Sequence, residues 1–183
     1  MISDRLALYS QRMAAVTLWF IVAMLLLNAT SWLWPAKAAY GIGFGLTDGL
    51  ISRLDINVWT FPWWQKVGGI LLSSVPLLTL AAGLRHLRSL FQCYGRREYF
   101  SATTATHLGK VGRWVGLWVV LSLLCEPLLS AWSTMREPVG HRVITLSFGS
   151  PYIVALFLAA CIAIIARILR QASELDSEHR LFV

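Results

Sequence analysis

The sequence predicts an all-α fold: a polytopic membrane protein with four transmembrane helices and a short amphipathic helix in the first outer loop. Three observations point there. The 183 residues are 57% hydrophobic and only 14% charged, with a mean hydropathy of +0.62, so they cannot supply the polar surface of a soluble domain of this length. Four apolar runs, at 14–34, 67–84, 114–132 and 151–169, fall in the range of roughly 17–25 residues expected of a membrane-crossing helix, the second being short. A basic segment between runs two and three carries Arg85, Arg88, Arg96, Arg97, Lys110 and Arg113 against the single acid Glu98. The whole chain, 1–183, is read as one integral-membrane domain.

Charge sets the expected orientation. With both termini inside, the inner segments hold eleven basic residues: Arg5, Arg12, Arg85, Arg88, Arg96, Arg97, Lys110, Arg113, Arg167, Arg170 and Arg180. The outer loops hold five: Lys37, Arg53, Lys66, Arg136 and Arg142. That bias, with an even number of spans, predicts a multi-pass protein of a bacterial inner membrane with both termini in the cytoplasm. The net charge of +7 lies beside apolar runs, which suits topology and anionic headgroups. It does not suit a DNA-binding face, and no direct nucleic-acid binding is expected. The lipid bilayer is the first partner.

The N-terminal segment to Met13 is short and basic. Run one follows, ending at Trp32 and Trp34 as interfacial anchors and Pro35 as a helix stop. Ala36-Lys37-Ala38 imitates a signal-peptidase site, but the run exceeds the usual signal core of about 7–15 residues. An uncleaved span is expected.

The connection 35–66 contains Gly41, Gly43, Gly45 and Gly49. A phosphate loop needs a preceding strand and a following Lys-Ser/Thr, and both are missing. Leu46, Leu50, Ile51 and Leu54 recur at helical spacing, which predicts the short amphipathic helix, held at the interface by Trp59, Trp63 and Trp64. A lid or partner-binding surface is the rival reading.

Pro76 interrupts run two and predicts a kink, with Ser73 or Ser74 satisfying the freed carbonyl. Packing explains such a kink at least as well as gating. The helix is expected to continue through Tyr94 with Gly95 as C-cap, and Ser101 to cap the helix leading into run three. Gly112 and Gly116 form a GxxxG, a sign of close helix approach and a weaker one of a homo-oligomer.

Run three holds the one acid inside an apolar run, Glu126, followed by Pro127. Intramembrane carboxylates are costly, which makes Glu126 a candidate polar site for a proton or cation. It lies roughly 20 Å beyond Arg113, in the outer half of the span, so the plainer reading is a hydrogen-bonded or interfacial Glu. Run four carries Ala155, Ala159 and Ala163, a small-residue stripe fit for helix packing, and the tail holds Glu174, Asp176, Glu178 and His179.

No catalytic constellation appears. Cys93, Cys125 and Cys161 make no disulfide framework, and His86, His107, His141 and His179 are scattered without a metal-binding or haem-type spacing. No catalytic, cofactor-binding or metal residue is assigned, no cofactor is expected, and the chain is not read as an enzyme.

The stretches Leu87-Arg88-Ser89-Leu90-Phe91, Tyr99-Phe100-Ser101 and His107-Leu108-Gly109, with the tail from Ile168 to Val183, resemble a bacterial family of four-span membrane proteins of unknown function. Ala172 stands where that family usually has Gly, and His179-Arg180 where an acid is common. The resemblance implies a regulatory partner, since such proteins are often encoded beside small helix-turn-helix regulators. It implies no catalytic residues.

Three functions are therefore expected in order. The first is a docking module for a cytosolic regulator, using Arg96, Arg97, Tyr94, Tyr99 and Phe100 with Glu174 and Glu178. The second is an immunity-type protein that protects against a membrane-active toxin. The third is a small transporter or channel component, supported only by Glu126 and Pro76 and lacking an internal repeat.

Overall fold

The computed structural model describes residues 2–33, 46, 61–95, 102–136, 138, 142, 144–146 and 149–179. Its regular elements are all helical: α1 (Ile2–Leu33), α2 (Trp63–Gly95), α3 (Ala102–Thr134) and α4 (Ser150–His179). All four are long and apolar enough to cross a membrane, over Leu8–Leu33, Trp63–Gly95, Thr103–Thr134 and Ser150–Ser173. The protein is a four-helix polytopic membrane protein. Each helix outruns the apolar run that announces it. No proline falls between Leu77 and Gly95 or between Ala102 and Glu126 to break them.

Surface and interior are inverted relative to a soluble bundle. Trp19, Leu71, Leu128 and Phe157 are well exposed, while Asn28, Ser73, Ser122 and Glu126 are buried. With lipid outside, apolar side chains lose nothing by facing outward, and polar ones find partners only inside.

Packing divides the chain into two compact units. One comprises Met1–Ile21, Leu80–Leu117 and Ser150–Val183. Here α3 and α4 meet through small residues. A methyl group on Gly112 would stand 2.9 Å from the Ala159 carbonyl oxygen and 3.3 Å from the Ala163 nitrogen, and one on Gly109 would touch the Ala166 Cβ. Gly116 has open space around it. The close approach is thus made by Gly109 and Gly112 against the alanine stripe, not by the predicted Gly112–Gly116 pair.

The other unit comprises Val22–Thr79 and Trp118–Gly149. Its core is Trp32 and Leu129, with Leu46, Phe61, Ile70 and Leu72 packed against them. Trp32, expected at the interface, is only 2% exposed, and its Nε1 donates to Ser73 Oγ at 3.3 Å. Gly69 makes that possible, since its missing side chain is the space the Trp32 ring fills. Trp63 and Trp64 belong to the first turn of α2, where the Pro62 carbonyl accepts from Gln65 N at 3.0 Å and Lys66 N at 3.2 Å. Trp63 is exposed and fits an interfacial anchor, whereas Trp64 packs edge-on against Trp132 with ring centroids 5.9 Å apart.

Pro76 lies inside an assigned helix that continues on both sides of it. The neighbouring serines are used differently from expectation. Ser73 Oγ donates to the Ile70 carbonyl at 3.2 Å, and Ser74 Oγ accepts from Asn28 Nδ2 at 3.3 Å. They tie α2 to its own turn and to α1 instead of capping the carbonyl that Pro76 frees. Of the predicted amphipathic helix only Leu46 is described, in helical conformation. Leu50, Ile51, Leu54 and Trp59 lie outside the described residues, as do Trp34 and Ser101.

Candidate functional site

The polar residue singled out in the apolar runs, Glu126, sits on α3 one turn from Ser122 and one turn from Ser130. All three are buried, Glu126 at 4% exposure, so headgroups and bulk water do not reach it as its axial position suggested. Position along a helix gives depth, but the face decides exposure, and this face is buried. Glu126 has an interaction partner within the protein. A buried, internally partnered Glu126 therefore replaces the interfacial one.

Its neighbours are occupied by structure. Ser130 Oγ donates to the Pro127 carbonyl at 3.0 Å and accepts from the Thr145 amide at 3.0 Å. Ser133 and Thr134 donate back to the Leu129 and Ser130 carbonyls, as Thr17, Ser31 and Thr79 do to Met13, Leu27 and Val75. Such back-bonding satisfies a hydroxyl within its own helix and leaves it little to offer a ligand. Gln65, fully buried at the start of α2, donates through Nε2 to the carbonyls of Trp132 and Ser133 at 3.0 and 3.2 Å. These are among the last carbonyls of α3, which the helix itself cannot satisfy. The buried polar groups, then, are chiefly tied back to their own helices, with Gln65 fastening α2 to α3. Among the described residues no group of three or more His, Cys, Asp or Glu could hold a metal ion. Cys93, Cys125 and Cys161 are free thiols.

The proposed docking residues are only partly covered. Tyr94 lies half-buried on the last turn of α2 and is engaged with a neighbour. Arg96, Arg97, Tyr99 and Phe100 lie outside the described residues. Glu174 and Glu178 are on the helical backbone of α4, which runs on to His179.

One pairing is not announced by the sequence pattern. His86 of α2 and His107 of α3, scattered along the chain, lie with ring centroids 5.6 Å apart and planes tilted by 41°. Lys110 and Arg85 act electrostatically on His86 at the same end of the first unit. The signal that could have found the pair is the continuation of both helices past their apolar runs. It makes an antiparallel pair and brings its loop-side residues opposite each other.

No curated protein matches the chain, and no solved structure does. A family model does match, over residues 13–183, and its description is a protein of unknown function, DUF2975. With nearly the full length covered, spans and basic connection included, the chain belongs to the DUF2975 family.

Proposed function

We propose that this is a non-enzymatic protein of the bacterial inner membrane, with both termini in the cytoplasm, that docks a cytosolic protein such as a transcription regulator. The observation that carries the reading is helix length. At about 1.5 Å per residue, α2 and α3 (33 residues each) and α4 (30 residues) reach roughly 45–50 Å, against a hydrocarbon core of roughly 30 Å. The excess falls on one side of each apolar run: Arg85 to Gly95 on α2, Ala102 to Arg113 on α3, Arg170 to His179 on α4. By the basic-residue bias that side is the cytoplasm. Three helices extended into water give a rigid platform, and the connection between α2 and α3 carries Arg96 and Arg97 beside Tyr94, Tyr99 and Phe100. Arginine with aromatics is the usual composition of a protein contact.

The test is a pull-down from detergent extract with the Arg96→Ala/Arg97→Ala double variant. Insertion persists, because Arg85, Arg88, Lys110 and Arg113 still flank the membrane, while recovery of the cytosolic partner falls. Unchanged recovery, or no cytosolic protein recovered by the wild type, removes the docking reading. The immunity reading then leads, and the feature that favours it is α4, whose apolar window is only 11% buried and leaves an apolar face for another membrane helix. Gene neighbourhood separates the two: a DNA-binding neighbour supports docking, a toxin gene supports immunity.

A further inference from the structure

Within the first unit, α3 and α4 flank an open cavity of about 530 Å³. Arg113 of α3 and Arg167 and Arg170 of α4 line it, with Thr106 and the small Gly109 and Ala166 between them. Among the described residues no carboxylate lines it. That volume is within the range of about 300–1,000 Å³ typical of small-ligand sites. Topology alone accounts for positive charge at the ends of runs three and four. It does not account for arginines from two helices distant in sequence lining one cavity.

Local geometry makes room for a ligand at this point. Gly109 and Ala166 let the two backbones come together: a methyl group added to Gly109 would lie 3.5 Å from the Ala166 Cβ. Neither residue fills the space beside them. Ile164 and Ile168, exposed on α4 within about a turn of Arg167, offer an apolar surface beside the basic one. A guanidinium presents paired donors that match phosphate oxygens, and basic cavities between membrane helices suit anionic headgroups. Arg170 is also engaged elsewhere in the protein, so the case stands on Arg113 and Arg167.

We propose that this cavity is a phosphate-binding site, taking either the phosphate of an anionic glycerophospholipid, with its acyl chains along the Ile164–Ile168 face, or a free phosphate anion. The inference is independent of the docking reading, because it requires no cytosolic protein.

Thermal unfolding of the full chain in neutral detergent tests it, with phosphatidylglycerol, phosphatidylcholine or inorganic phosphate added at equal phosphorus. Phosphatidylglycerol at about a hundredfold excess over its Kd should raise Tm by roughly 5–10 °C, with phosphatidylcholine inert. If phosphatidylglycerol alone acts, the ligand is a lipid headgroup; if inorganic phosphate gives the same rise, it is the free anion. Arg113→Gln/Arg167→Gln should cut the rise to less than half. Thr106→Trp, which fills the cavity and keeps every charge, should do the same, each variant being measured against its own unliganded Tm. Arg85→Gln, which removes a positive charge elsewhere, should keep the full rise. No rise with any phosphate in the wild type, or an undiminished rise in Thr106→Trp, overturns the proposal.

Discussion

Gln65 and Trp132 hold each other twice. Gln65 Nε2 donates to the Trp132 carbonyl oxygen at 3.0 Å, and Trp132 Nε1 donates to the Gln65 carbonyl oxygen at 3.0 Å. The start of α2 thereby caps the end of α3, and the indole closes over Gly68, where a side chain would overlap the ring. This reciprocal contact joins the two helix ends without a charge, at a glutamine that is fully buried.

The clasp should be measurable. Gln65→Leu keeps the volume but leaves the Trp132 and Ser133 carbonyls without their donor, which should lower stability by about 1–2 kcal/mol. Trp132→Phe should cost a similar amount, and the double variant less than the two together. Reversible unfolding in mixed detergent reads all three. Fully additive effects would show that the two residues act separately.

Glycine positions divide into those that are filled by a neighbour and those that are not. Gly69→Ala would place its methyl 2.5 Å from a Trp32 ring carbon, and Gly112→Leu would drive a side chain into the α4 backbone. Both should destabilise by about 1–3 kcal/mol through overpacking. Gly116→Ala, with open space around it, should be neutral or slightly stabilising, because alanine is the better helix former. A Gly116→Ala variant as damaged as Gly112→Leu would assign Gly116 to an interface with another molecule.

Topology follows from the same reading of charge. Reporter fusions after Tyr94 and after Val183 should report a cytoplasmic location, and a fusion after Gly49 an external one. An external signal at Tyr94 would invert the orientation and move the platform of extended helices out of the cytoplasm.

For Glu126 the expected outcome is tolerance of shape and intolerance of added charge. Glu126→Gln retains the volume and a hydrogen-bonding end group, so expression, Tm and partner recovery should stay near wild type. Glu126→Lys places a longer cation where only 4% of the residue is exposed, and little folded protein should be recovered. A well-expressed Gln variant with no function would make the carboxylate itself a coupling group.

The segments that leave water were legible because that choice is local. Each residue's transfer from water to hydrocarbon adds along the chain, so four apolar runs announce four helices. Helix faces were not legible. Trp32 reads like any interfacial tryptophan, yet Gly69 and Ser73 draw it into the core; Gly116 completes a packing motif, yet Gly109 does the packing. His86 and His107 likewise became neighbours only when two separate helices came together. From the sequence alone came the number, order and approximate extent of the membrane helices and the asymmetry of their charge. Only the tertiary structure decided which side chains are fastenings, which pair, and which arginines line one cavity. Lipid tails are as apolar as leucine, so hydropathy cannot separate a lipid-facing residue from a helix-facing one, and only shape and hydrogen bonding between helices can.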